Sequence, residues 1–247
     1  MSFLRLQDVH YSYGNNHLIV DAVNVELEKG KFHSLLGKSG CGKTTLLKLA
    51  AGLLVPDKGS IQLQGMPIKP SEKIGFVFQS PTLLEWKTVI ENVLLPVSLK
   101  RKVTKEDVEA AGTLLALMGL SDFKKEYPTR LSGGQQSRVS IARALIQTPS
   151  MLYLDEPFSA LDAITREELQ DDLLRLCELH QMTVLFVTHD ISEAVYLSDR
   201  IAVMDKGRII YDLSVDLQGR QTAEIRYSQP FNKVCLQIRT AISGGKR

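Results

Sequence analysis

No run of apolar residues in this 247-residue chain approaches the ~20 that a membrane-spanning helix needs. The opening residues, MSFLRLQDVHYSY, lack a basic stretch followed by an apolar one, so no secretory leader is expected. Cysteine is scarce: Cys41, Cys177 and Cys235 are widely spaced and odd in number. They form neither a zinc pattern nor a disulfide framework, which points to a reducing compartment. Charge of either sign is not in excess, with a formal net charge of +2. That value is too near zero to argue for nucleic acid or anionic lipid as the main partner. From Lys206 onward the chain is more basic, but its Lys and Arg are scattered. A solvated surface is the reading there, with a phosphate- or lipid-facing patch as the alternative. Internal repeats and low-complexity tracts are also missing, so no repeat architecture is indicated.

Hydrophobic residues make up 44% of the chain, enough for one large α/β domain or two modest ones. From Phe3 to Tyr13 apolar and polar residues alternate loosely, as in half-buried antiparallel strands. Short apolar runs at Phe32–Leu36, Ile74–Phe78, Met151–Asp155, Thr183–Thr188 and Arg200–Asp205 read as buried strands. Helical character follows Thr44, is broken at Pro56-Asp57-Lys58-Gly59, and returns near Ile164–His180 and Ser192–Leu197. Strands that alternate with helices imply a mainly parallel sheet covered on both faces. Between about 88 and 145 the β-branched runs give way to helix formers, which reads as a helical insert. Near the end, Phe231, Val234, Cys235 and Ile238 recur at helical spacing, as in a packing face.

Residues Gly37, Lys38, Ser39, Gly40, Cys41, Gly42, Lys43 and Thr44 match the phosphate-loop pattern GxxxxGK[ST], with Thr45 next in the following helix. Glycines let the backbone curl so that N–H groups face phosphate oxygens, and the helix adds its positive N-terminal end. Lys43 supplies a cation for the β- and γ-phosphates, and the Thr44 hydroxyl is suited to ligate Mg²⁺. Cys41 reads as a small neutral filler. A second acidic element is present in Met151-Leu-Tyr-Leu-Asp155-Glu156-Pro157, a buried strand ending in two carboxylates. Asp155 suits the metal and Glu156 suits polarisation of an attacking water. Alone, the pair would read as two solvated acids at a strand terminus.

Leu131-Ser132-Gly133-Gly134-Gln135 narrows the class. By itself it is a helix cap and turn. It stands about 90 residues after the phosphate loop and about 20 before the Asp-Glu pair, and there it resembles the signature motif of ABC ATPases. The other landmarks of that family follow in its order across about residues 3–215. Tyr13 matches the aromatic that stacks on adenine, with Tyr11 as the other candidate. Gln79 matches the glutamine that approaches Mg²⁺ and water and touches the transporter-coupling region. Ser159-Ala160-Leu161-Asp162 matches the loop that crosses the dimer interface, and His189 matches the switch histidine on the γ-phosphate. Departures are Lys38, where proline is common, and Lys31, where glutamate is common; neither removes a ligand.

The resemblance implies a P-loop NTPase fold with a mainly parallel core sheet, N-terminal antiparallel strands and a helical subdomain. The expected division is one domain over 1–247. Its core occupies about 1–87 and 146–215, a helical signature part about 88–145, and a tail helix 216–247. The resemblance also implies ATP and Mg²⁺ as ligands and a second copy of the chain as partner. Each ATP would lie between one copy's phosphate loop and the other's Ser132, Gly133, Gly134 and Gln135. The short insert, the single ATPase unit and the lack of a fused membrane domain favour an importer subunit. It would sit on the cytoplasmic face of the inner membrane beneath permease subunits and, indirectly, an extracytoplasmic solute-binding protein, with no nucleic acid. The segment Leu83-Leu-Glu-Trp86 followed by Asn92-Val93 resembles the nitrate, sulfonate, taurine and pyrimidine-precursor importers, as does the tail helix. Exporter or lipoprotein-release ATPases and non-transport repair ATPases are the alternatives. Trp86 has a place beneath the coupling groove as its packing alternative.

Overall fold

Alternating apolar residues at the start of the chain build an antiparallel sheet. In this computed structural model, which describes residues 2–14, 17–68, 74–217 and 223–244, β1 (Ser2–Ser12) pairs antiparallel with β2 (Leu18–Glu28). On its other side β1 pairs with β4 (Lys58–Leu63), which takes the short β5 (Met66–Pro67). Leu4, Leu6, Val9, Val23 and Leu27 bury one face of this sheet. The backbone divides the chain into two compact units, Met1–Ser71 with Gln181–Arg247, and Glu72–His180.

The first unit also holds β3 (Phe32–Gly37), buried along its whole length. It runs parallel to β8 (Thr183–Thr188) on one side and β9 (Arg200–Asp205) on the other. A hairpin returns the chain antiparallel as β10 (Arg208–Ser214). Its turn residues Lys206 and Gly207 both have positive φ, 45° and 82°, the combination that matches the twist of a two-residue hairpin. Helix α1 (Lys43–Ala50) follows β3, α6 (Ile191–Leu197) follows β8, and α7 (Gln229–Gly244) packs on α6. Phe231 and Ile238 are the buried residues of α7; Val234 and Cys235 are half-buried.

Helix α1 is shorter than the sequence reading, which carried it toward Pro56. Gly52 (φ 72°) turns left-handed, and the N–H groups of Gly52 and Leu53 donate back to the carbonyls of Leu49 (3.0 Å) and Lys48 (2.9 Å). This closure satisfies the last carbonyls of the helix before the proline is reached.

The second unit pairs β6 (Ile74–Val77) with β7 (Met151–Asp155) in parallel, with Val77 opposite Leu154. Its helices are α2 (Val89–Ser98), α3 (Lys105–Leu117), α4 (Gly133–Leu145) and α5 (Ala163–Leu179). Three of them begin with reciprocal capping boxes: Thr88 with Glu91, Thr104 with Asp107, and Ser132 with Gln135. Helix α3 ends at Gly119 in the left-handed closure already seen in α1, with Leu120 N–H on the Leu115 carbonyl at 2.7 Å. At Gly75 of β6 a side chain would meet the Ala144 carbonyl at 2.8 Å, so glycine lets the end of α4 lie close to the strand.

Candidate active site

In the first unit the turn from β3 into α1 carries Lys38, Ser39 and Gly40 as an exposed lip above buried Cys41, Lys43 and Thr45. Gly40 and Gly42 have φ of 79° and 107°, conformations that a side chain strains. A Cβ at Gly42 would also meet the Ile19 carbonyl at 2.7 Å. The head of α1 has no side-chain cap and no acidic residue in its first turn. Its N–H dipoles therefore face the loop without a negative side chain of the helix itself.

Lys43 is 4% exposed, and its ammonium donates to the carbonyls of Gly37 (2.8 Å) and Lys38 (2.9 Å). Burying a cation on carbonyl dipoles alone is costly, and an anion in the loop relieves that cost. Burial pushes the Cys41 thiol up, with the nearby Lys43 charge offsetting part of the rise. Cys41 is accordingly a filler whose carbonyl accepts from Gly207 N–H at 3.0 Å. The register that sets Leu36 opposite Thr188 brings His189, exposed just beyond β8, to the same strand end as Gly37. Around it Thr188 Oγ1 donates to Glu193 Oε2 (2.7 Å), and Asp190 N–H donates to Thr188 Oγ1 (3.0 Å). Asp190 in turn caps α6 through the N–H groups of Ser192 and Glu193. Tyr13 lies at the far end of β1, half-exposed, its ring edge-on to Tyr11 at 4.9 Å.

The second unit collects the other candidates. Asp155 is buried at the end of β7, and Glu156 follows with φ 44°, an uncommon conformation for a non-glycine residue. Ser159 supports this turn by donating from Oγ and N–H to the Glu156 carbonyl at 2.9 and 3.2 Å. Gln79 lies exposed past β6, at the same end of the strand pair as the two acids. Ser132 caps α4, and the first helical residues Gly133 and Gly134 pack against the loop that leads to Asp162. A Cβ on Gly134 would meet Leu161 Cδ2 at 2.9 Å and the Ala160 carbonyl at 3.2 Å, so this glycine sets how closely the two motifs approach. Asp162 itself caps α5, and the Thr165 N–H and hydroxyl hold its carboxyl below the usual range.

The family model described as ABC transporter matches residues 20–159. The chain belongs to the ABC transporter family. It is 50% identical over 187 residues to the aliphatic sulfonates import ATP-binding protein of Bacillus thuringiensis subsp. konkukian, covering 75% of this chain and 73% of that protein. It is 45% identical over 197 residues to the bicarbonate transport ATP-binding protein of Synechocystis sp., covering 78% of this chain but 30% of that longer protein. Among solved structures, a dimeric ATP-binding cassette in a post-hydrolysis state with ADP and Pi superposes with a TM-score of 0.80. That match is at 32% identity and covers 87% of this chain and 99% of that one. The α/β cassette fold and the ABC-type ATPase activity follow from these matches.

Two features of this ABC ATPase, the Arg143 contacts and the anchoring role of Asn92, escape the sequence reading. Arg143 of α4 donates to the carbonyls of Pro81 (2.8 Å) and Thr82 (2.9 Å) and to Thr82 Oγ1 (3.0 Å), fixing the loop beyond Gln79. Thr82 has φ 48°, a conformation that a β-branched residue adopts only under constraint. Asn92 is fully buried and binds the loop 84–88 through four hydrogen bonds to Leu84, Lys87 and Thr88. A polar residue inside an apolar helical stretch was the available signal. Trp86 is 74% exposed on the loop that the Asn92 side chain holds, so its indole does not anchor that loop.

Proposed function

We propose that this chain is the ATP-hydrolysing motor of an importer for a small oxyanion, working as a homodimer beneath a separate permease. Lys43 carries the reading: a buried ammonium resting on loop carbonyls, below an uncapped helix start, is arranged to receive phosphate. Residues Gly37 to Thr45 cradle the ATP phosphates, and Tyr13 stacks on the base. Thr44, Gln79 and Asp155 would hold Mg²⁺, which when bound would supply charge neutralisation for phosphoryl transfer. Among the described residues no cluster of three or more His, Cys, Asp and Glu could hold a metal alone, which suits an ion shared with phosphate and water. Glu156 takes up the proton side of water attack, and His189 contacts the γ-phosphate. Ser132, Gly133, Gly134 and Gln135 meet the ATP held by the partner copy, with Asp162 in the loop that crosses to it.

The importer reading is supported by the printed roles of the relatives, aliphatic sulfonate import and bicarbonate transport. Among the described residues no helix is long and apolar enough to cross a membrane, and the relatives' names as ATP-binding proteins of import and transport support assigning translocation to a permease. A periplasmic or extracellular binding protein would select the cargo, and the motor would sit on the cytoplasmic face of the inner membrane. The test is purification of the tagged chain from its native membranes, followed by ATP binding. Recovery of a multi-spanning partner, with ATP affinity falling at least tenfold in Lys43→Ala (about 1.5–3 kcal/mol for a charged hydrogen bond), is expected. Tight ATP binding by that variant, or recovery of a DNA-bound partner, would overturn the reading.

A further inference from the structure

Three of the basic residues from Lys206 onward, Lys206, Arg208 and Lys233, line a groove that no step above uses. It opens between the β9–β10 hairpin and α7, with a volume of about 980 Å³. Ile210, Tyr211 and Leu236 form an apolar lining, and Lys206, Arg208 and Lys233 bring positive charge. Leu236 is 65% exposed and Ile210 43%, so apolar surface is left open inside a concave site. Lys206 and Lys233 form no ion pair among the described residues. Arg208 is committed to Asp21 through a 2.6 Å bond from Nε, and Asp205 is the one acid among the described lining residues. Gln237 Nε2 donates to Tyr211 Oη at 3.0 Å, tying the helix to the hairpin, so the groove is preformed.

Chemistry selects the occupant. A neutral apolar molecule would leave two ammonium groups without a counter-charge, and a polyphosphate would leave the Ile210 and Leu236 surface wet. We propose that this groove binds an amphiphilic organic anion, a single sulfonate or carboxylate carried on an apolar body, and that its occupancy adjusts nucleotide affinity. The coupling route is short. The hairpin turn that lines the groove donates from Gly207 N–H to the Cys41 carbonyl of the phosphate loop (3.0 Å) and accepts from Asp21 N–H (2.9 Å). A Cβ at Gly207 would meet the Ile19 carbonyl at 2.7 Å, so the turn has no slack toward the loop it touches. The site goes beyond the transport reading and does not require it, since its test uses the isolated chain.

Such an anion could be the cargo itself or a cellular fatty acid, and two probes separate these sources. Calorimetry of the purified chain with hexanesulfonate and with dodecanoate is expected to show one saturable site for at least one of them, and none for hexanol. Tighter sulfonate binding identifies a cargo-like ligand; tighter carboxylate binding identifies an acyl metabolite. Lys206→Glu with Lys233→Glu should weaken binding about tenfold, as for reversal of two partly screened charges. Leu236→Glu, an exposed change, should weaken it independently. Saturation should shift the ATP Kd about fivefold or more. Failure of both anions to saturate, equal affinity in both variants, or an unmoved ATP Kd would overturn the proposal. Binding of phosphatidylglycerol vesicles in place of either free anion would also overturn it, making the patch a membrane contact.

Discussion

Asn92→Ala is the sharpest perturbation of the segment between the two strand-end motifs of the second unit. Asn92 is 0% exposed, with Oδ1 accepting from Leu84 N–H at 2.8 Å. Its Nδ2 donates to the carbonyls of Leu84, Lys87 and Thr88 at 3.1, 3.0 and 3.0 Å. At about 1 kcal/mol net per hydrogen bond, with some groups rehydrated once the loop is released, the loss is about 2–4 kcal/mol. For a chain of this size that corresponds to about 2–4 °C of Tm per kcal/mol. Asn92→Asp is the control: it places carboxylate oxygens against three carbonyls and should cost more than alanine at neutral pH. The difference should narrow on acidification, as the carboxyl gains a proton to donate. Urea denaturation gives both values, and amide exchange at Leu84 reports the loop directly. A loss under about 1 kcal/mol for alanine, or an aspartate variant as stable as the parent, would refute this account of the loop.

Three further outcomes follow. Gly42→Val should lose ATP binding and about 1–3 kcal/mol of stability, because φ 107° and the Ile19 carbonyl at 2.7 Å both oppose a side chain; a stable, ATP-binding variant would contradict that geometry. Burial of His33, whose Nε2 accepts from Glu28 N–H at 3.0 Å, lowers its pKa below the ordinary 6.5 against the opposing pull of Glu28 and Asp199, with Arg200 adding to the lowering. The unfolded chain therefore takes up the proton first, and stability should decline as pH falls below about 6.5. His33→Gln keeps an acceptor without the titration and should flatten that decline; an unchanged slope in urea denaturation would contradict it. Cys177, buried and pushed up to about 12, should resist maleimide at neutral pH in the folded chain, and rapid labelling would contradict its placement.

Continuous burial makes a strand most legible in sequence, although the partly buried Ile74–Val77 and Arg200–Asp205 were readable too. Phe32–Gly37, Met151–Asp155 and Thr183–Thr188 are buried throughout, and their apolar runs need no neighbour to announce them. Strand β10 alternates between exposed and half-buried residues, β4 buries only Ile61, and their pairing with β9 and β1 is a long-range property. The phosphate loop was readable because glycine geometry is encoded locally, at Gly40 and Gly42. By contrast, Arg143 holds Thr82 from 61 residues away, and no local pattern links the two. The end of α1 was misplaced because Gly52, and not the more conspicuous Pro56, closes the helix. Ser132 shows a residue whose two readings coexist: it caps α4 by its own hydrogen bonds, and the same exposed helix start is what the family resemblance assigns to a partner's ATP.

The central claim is that ATP sites form between two copies, with Glu156 as the group that activates water. Sedimentation of Glu156→Gln with Mg-ATP, with bound nucleotide counted after separation, tests it most directly. A stable dimer retaining two ATP and hydrolysing neither is predicted, reverting to monomer when Ser132→Arg is added. A monomer that binds ATP, or a Glu156→Gln protein that turns ATP over at the parent rate, would contradict the claim.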